Sequence, residues 1–203
     1  MNAGKDVRAA WRQRLTARHC VLFAVIMLAG AFALQAGAIH AKAGLAQLLL
    51  TRAFDASRDD GRDHAPWPWA DTVPVARLAV PAHGIEQIVL AGDDGRTLAF
   101  GPGWAPASAA PGQRGATVIS GHRDTHFAFL RQLAVGDAIQ LEDRRGGIEY
   151  QVVSAGVVDA RSHRLDVSAA DQDTLWLVTC WPFDAVSAGG PLRWLVQAQR
   201  TPG

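Results

Sequence analysis

The run Cys20–Ile39 constrains this chain more than any other stretch, being apolar except for Gln35. At about 20 residues, an α-helix made from it matches the hydrocarbon thickness of a bilayer. Upstream stand Lys5, Arg8, Arg12, Arg14 and Arg18 against one acid, Asp6, and a basic flank holds its side of a membrane span in the cytoplasm. The expected layout is a cytoplasmic segment over 1–19, a single-pass anchor over 20–39, a juxtamembrane helix and linker over 40–70, and a folded domain over 71–203 outside the cytoplasm. A cleaved signal peptide is the alternative, with Ala41-Lys42-Ala43 as its small-x-small site. The length of the run and the helical pattern of Leu45, Leu48 and Leu49 beyond it favour an uncleaved anchor.

From Thr51 to Trp69 the chain turns polar, with Asp55, Arg58, Asp59, Asp60, Arg62 and Asp63 followed by Pro66-Trp67-Pro68-Trp69. This reads as a tether, its Trp pair serving either as an interfacial anchor or as a clasp on the domain surface. Beyond Asp71 come short β-branched or alternating runs: Val75 to Val80, Ile85 to Leu90, Thr117 to Ser120, Ala138 to Glu142, Ile148 to Val158, Leu175 to Cys180 and Arg193 to Gln199. Turn sequences such as Gly92-Asp93-Asp94-Gly95, Val135-Gly136-Asp137 and Arg145-Gly146-Gly147 separate several of them. The pattern is that of an all-β barrel or sandwich. Thr97 to Phe100 and Phe127 to Leu133 are expected to form single helical turns. The 20 basic and 19 acidic residues leave a formal charge of +1, a balance that calls for no nucleic-acid partner. Two cysteines, Cys20 in the apolar run and Cys180 in the folded domain, cannot meet if the run spans a membrane, so no disulfide is expected.

Three positions combine a strand end with a reactive side chain. Ser120-Gly121-His122-Arg123-Asp124-Thr125-His126 follows an apolar strand. A lone histidine is more often structural, yet Gly121 beside His122 permits a close approach of another backbone or a substrate. His122 and His126 stand at i, i+4, but Gly121 precludes a helix beginning earlier and no HExxH glutamate is present, so no metal site is expected. Cys180 ends the strand Leu175–Cys180 and is followed at once by Trp181-Pro182. Most free cysteines are small buried apolar residues, but an unpaired thiol outside the cytoplasm, at a strand terminus, points to reactivity. Arg193 enters the last strand, where alternation puts it with Leu195 on one face and Trp194 with Val196 on the other. Alone it is a solvated edge residue; beside a nucleophile its fork of donors can hold a developing oxyanion.

In that order, His122, Cys180 and Arg193 resemble the sortase family. Thr117 to Asp124 is similar to the family's histidine motif, Leu175-Trp176-Leu177-Val178-Thr179-Cys180 to its TLxTC motif, and Leu192 to Val196 to its arginine strand. The resemblance runs from about Val75 to Arg200, and Cys180-Trp181-Pro182-Phe183-Asp184 with the N-terminal anchor looks most like the sortases of Gram-negative bacteria. It implies a closed eight-stranded β-barrel with short helices. It also implies transpeptidation at an LPxTG-like sorting signal near the C-terminus of a secreted protein, with transfer to an amine acceptor. Cys180 would then be the nucleophile, His122 the acid/base and Arg193 the oxyanion stabiliser, with Asp124, Thr179 and Trp181 in support. No cofactor is implied, and Asp137 and Glu142 do not make the acidic cluster of a calcium-binding sortase.

Rival readings fit less well. An L,D-transpeptidase places its arginine about two residues after the cysteine, whereas Arg193 follows Cys180 by thirteen (193 − 180). A papain-like protease reverses the order of cysteine and histidine. A membrane-tethered barrel that binds a surface protein without reacting stays open as the non-enzymatic alternative.

Overall fold

The computed structural model describes residues 3–165, 167, 173–187 and 189–201; within the first helix, side chains are described for His19 and from Leu22 onward except residues 39 and 40. Two units compose the chain, Met1–Leu45 and Ala46–Gly203. Helix α1 (Ala3–Asp60) supplies the first unit and continues into the second. In the first unit, Leu22, Phe23, Ile26, Met27, Phe32 and Leu34 are exposed, and the helix is long and apolar enough to cross a membrane. Cys20, on which the expected lack of a disulfide turns, lies outside the described side chains; Cys180 is a free thiol.

The second unit is a closed barrel of eight strands: β1 (Pro74–Val80), β2 (Ile85–Ala91), β3 (Gly103–Trp104), β4 (Ala116–Ser120), β5 (Ala138–Glu142), β6 (Gly147–Asp159), β7 (Thr174–Cys180) and β8 (Leu192–Arg200). Around the barrel they run β1-β2-β3-β4-β7-β8-β6-β5, with β5 pairing back to β1. The β2–β3 and β4–β7 pairs are parallel, the rest antiparallel. Seven strands fall where β-branched alternation predicts them. β3 has only two residues, one of them a glycine, and is too short for any period to be visible.

Side chains alternate across each strand, and the core follows from that. Ala76, Leu78 and Val80 of β1, Val89 of β2, Ile119 of β4, Leu175 and Leu177 of β7, and Val196 and Ala198 of β8 all point inward into one cluster. Phe127, Phe129, Leu130 and Leu133 close it through a 3-10 turn at Ala128–Gln132. The turn expected over Thr97 to Phe100 starts two residues earlier, as the helix α2 (Gly95–Leu98), because the Asp94 carboxylate caps it, accepting from the backbone N–H groups of Arg96 and Thr97 at 2.8 and 3.3 Å.

The stretch read as a tether is corrected in its first half. α1 runs on to Asp60, and Leu50, Ala53, Phe54 and Ser57, spaced i, i+3, i+4, i+7, are buried on one stripe. Leu50 and Phe54 cover Ile88 and Leu90, the outward-facing residues of β2. Arg77, outward on β1, lies 5.1 Å from the Phe54 ring centroid and pairs with Asp55 and Glu142 at 2.8 and 3.1 Å. Gly61, at φ 74, ends the helix in the left-handed conformation that glycine adopts without strain. The Trp pair divides: Trp67 packs on this cluster and on the Phe100 ring at 5.0 Å, while Trp69 is 82% exposed.

Candidate active site

Strand register assembles the site. In the antiparallel β7–β8 pair, Cys180 stands directly opposite Arg193 and Thr179 opposite Trp194. Parallel pairing of β4 with β7 matches Ser120 to Val178, so His122, two residues on, leaves its strand level with Cys180, also two residues on. Leu175 and Leu177 face the core, and alternation puts Cys180 on the outer surface; the same count from Val196 and Ala198 turns Arg193 outward, and His122, in the turn beyond the end of β4, is exposed. Three segments at the ends of neighbouring strands therefore meet at one end of the barrel, the one bearing Cys180 in the middle. Cys180 and Arg193 are half-buried and His122 is exposed.

The surrounding bonds fix these three segments. Thr179, buried to 2% exposure, points inward and its hydroxyl donates to the Gly121 carbonyl at 2.6 Å. The Gly121 N–H donates to the Val178 carbonyl at 3.1 Å, so the chain bearing His122 is tied to the strand bearing Cys180 beyond the end of the regular ladder. Gly121 is required for packing: a Cβ there would sit 2.6 Å from the buried ring of Phe127. The close approach that a glycine beside His122 allows is made by this ring. Phe127 N–H donates to the His122 carbonyl at 2.9 Å and closes the turn.

Arg193 directs Nη1 at the carbonyls of Gly190 and Leu192, at 2.8 and 2.9 Å, which holds its guanidinium against the backbone at the entry to β8. Trp181 continues the β7–β8 pairing through its N–H to the Leu192 carbonyl at 3.1 Å. Its ring stacks on Trp194 at 5.3 Å and meets Phe183 edge-on at 5.6 Å. Trp194, inward-facing, donates from its indole to the Leu130 carbonyl at 3.2 Å, and Arg131 lies over the Phe183 ring at 5.4 Å. The Trp181 ring thus belongs to an aromatic plug at the mouth of the barrel, on the opposite side of the strand from the thiol. Asp124 is exposed and, among the described residues, makes no hydrogen bond or ion pair.

His126 is the second histidine of the turn. Its Nδ1 lies 3.2 Å from the Gln87 side-chain oxygen. Burial, followed by the charge of neighbouring His122, holds its imidazole below the usual histidine range. Among the described residues no group of three His, Cys, Asp or Glu side chains is placed to hold a metal ion. The residue that motif reading passed over is Arg123, which is buried and reaches the carbonyls of Ala185 and Ser187. Its position between His122 and Asp124 gives no local sign of burial, because only the tertiary fold brings the 181–191 loop over it.

A sortase D of Bacillus subtilis is 31% identical over 123 residues, covering 61% of this chain; the chain spans 62% of that relative's length. Among solved structures, sortase A from Corynebacterium diphtheriae is 28% identical with a TM-score of 0.59, covering 66% of this chain and 63% of that one. Sortase C-1 from Actinomyces oris is also 28% identical, with a TM-score of 0.55 and coverage of 64% and 75%. The sortase D5 transpeptidase of Clostridium perfringens, at 18% identity, supports the fold alone, with a TM-score of 0.62 over 78% of this chain and 99% of that one. The sortase-domain family profile matches residues 78–201, which include His122, Cys180 and Arg193, and the chain belongs to the sortase family.

Proposed function

We propose that the protein is a membrane-anchored cysteine transpeptidase that cleaves an LPxTG-like sorting signal between Thr and Gly and transfers the acyl part to an amine. The observation that carries this reading is the direct cross-strand pairing of Cys180 with Arg193, with the segment bearing His122 leaving the neighbouring parallel strand at the same level. The Cys180 sulfur attacks the scissile carbonyl carbon, and the Arg193 guanidinium holds the oxygen as it becomes negative. His122 gives a proton to the departing glycine amine as the C–N bond breaks, which leaves a thioester on Cys180. An acceptor amine then attacks the thioester carbonyl, His122 takes its proton, and the Cys180 thiolate leaves. Thr179 serves by holding Gly121, and hence His122, at a fixed offset from Cys180.

α1 is the anchor, its N-terminus cytoplasmic because of the basic flank, with the barrel outside the inner membrane, in the periplasm. The sequence Cys180-Trp181-Pro182-Phe183-Asp184 supports assignment to the Gram-negative class. The substrate is a secreted protein that carries the signal near its C-terminus.

Mass spectrometry of the detergent-solubilised full chain, incubated with an LPxTG-type peptide, tests the proposal. The expected product is a thioester adduct on Cys180 that hydroxylamine releases. No adduct under conditions where iodoacetamide alkylates Cys180, or an adduct that persists in Cys180→Ala, rejects the catalytic reading.

A further inference from the structure

Cys180 and Arg193 are joined by a loop, residues 181–191, that has no strand or helix among its described residues. The loop enters at the Trp181 N–H bond to Leu192 and leaves through Gly189 and Gly190, at φ 99 and 89. The β7–β8 pairing fixes the backbones of Cys180 and Arg193, but the Arg193 side chain bonds the loop's Gly190 carbonyl, so its aim is only as steady as the loop.

Arg123 holds it. With 9% exposure it is the one charged side chain among the buried described residues. Among the described residues no carboxylate pairs with it; Nη2 instead donates to the carbonyls of Ala185, at 2.9 Å, and Ser187, at 2.8 Å. A buried guanidinium without a counter-charge is costly, and hydrogen bonds from a cation to backbone carbonyls are strong and directional. Its nearest covalent neighbour is His122. One guanidinium therefore ties the segment bearing His122 to the middle of the loop that joins Cys180 to Arg193. Arg193 grips the same loop from its far end through Gly190 and Leu192.

We propose that Arg123 is a positioning residue: it keeps the 181–191 loop seated so that the Arg193 guanidinium stays aimed at the carbonyl attacked by Cys180. The proposal rests on the transpeptidase reading. Arg123 itself, buried beneath the loop, touches no substrate. Misplacing a reacting group by about 1 Å can cost on the order of 100-fold in rate, and that is the scale expected when the tie is cut.

Full-length chain in detergent, as wild type, Arg123→Ala and Arg123→Lys, is assayed by three readouts. The first is kcat and KM on an LPxTG-type peptide with hydroxylamine as acceptor, with and without millimolar guanidinium ion. The second is hydrogen exchange of the Trp181 and Ala185 amides, bonded to the Leu192 and Pro182 carbonyls, and the third is iodoacetamide alkylation of Cys180. Arg123→Ala is expected to lose about 100-fold in kcat/KM, mostly in kcat, to exchange those two amides faster while the β1–β2 amides keep their rates, and to remain alkylatable. Guanidinium is expected to restore part of the rate, and Arg123→Lys, which can reach one carbonyl, to lie between wild type and Arg123→Ala. Wild-type kcat/KM in Arg123→Ala overturns the proposal. So does a rate loss with unchanged loop exchange, no rescue and no gain in Arg123→Lys. If Arg123→Ala does not fold, Arg123→Lys decides by the same rate and exchange criteria. A wild-type chain that never acylates rejects the transpeptidase reading, while the loop exchange still decides whether Arg123 seats the loop.

Discussion

Two faces of the barrel differ in what covers them. On the β1–β2 face the outward residues Ile88 and Leu90 are apolar, and α1 between Ala46 and Asp60 lies over them with Leu50, Phe54 and an Arg77 ion-pair set. On the β4–β7–β8 face no element of comparable size among the described residues covers the strand ends, and Cys180, Arg193 and His122 stand half-buried or exposed. The core behind both faces is one continuous cluster. On the proposed reading the covered face adds packing and the open one presents the reacting groups, as expected when a rigid scaffold offers groups that must meet a second molecule.

That division can be broken from either side. The largest effect is expected from Arg193→Lys, which keeps the charge and loses the planar fork: turnover of an LPxTG-type peptide should fall about 100-fold or more, with unfolding temperature and Cys180 alkylation almost unchanged. Unaltered turnover would remove Arg193 from the chemistry. On the covered face, Phe54→Ala should lower stability by about 3 to 5 kcal/mol, read by chemical unfolding, because the ring is fully buried. A fragment beginning at Asp71, lacking the covering helix, should accordingly be less soluble and less stable than Ala46–Gly203. Equal stability of the two would mean that the helix is only an anchor.

Gly121→Ala tests where the two faces share the core. The added methyl would collide with the Phe127 ring, a strain of about 1 to 3 kcal/mol. Because Phe127 also closes the turn of His122, kcat should fall by more than the unfolded fraction accounts for. A loss in stability with full activity in the folded fraction would separate the packing of this turn from catalysis.

The smallest expected effect is on pH. His126 is held below its usual range chiefly by burial, so between the unfolded and folded values the unfolded chain binds more protons. Its contribution is complete above the unfolded value, near ~6.5, and is lost as pH falls below that value toward the depressed one. The melting temperature of the wild type should decline as pH falls below about 6.5 more steeply than that of His126→Gln. Parallel curves would show that His126 gains no such linkage. The lowered carboxylates Asp94, Asp137 and Asp173 have a reference value of 3.8 and act below this window.

Much of this was legible along the chain, for definable reasons. Strands such as β7 and β8 carry β-branched residues in alternation, and inward parity at Leu175, Leu177 and Val196 fixes outward parity at Cys180 and Arg193. The order of His122, Cys180 and Arg193 then carried the family resemblance. The helix over Thr51 to Asp60 was obscured because Asp55, Arg58, Asp59 and Asp60 read as a linker, although Leu50, Ala53, Phe54 and Ser57 kept helical spacing through it. Trp181, expected in support of the nucleophile beside it, stacks its ring on Trp194 because residue 181 continues the inward parity of Thr179.

The sequence by itself determined what local periodicity encodes: an apolar helix, a set of short strands, and which face of each strand every reactive side chain must take. Only the tertiary structure decided what lies across from what. Cys180 against Arg193, the His122 segment level with Cys180 through the parallel β4–β7 pair, and Arg123 beneath the 181–191 loop are contacts between residues far apart in the chain, set by closure of one barrel around one core. Opposite charges and alternating patterns recur at many positions, so their partners cannot be read from spacing. They follow once burial of the inward faces permits a single register.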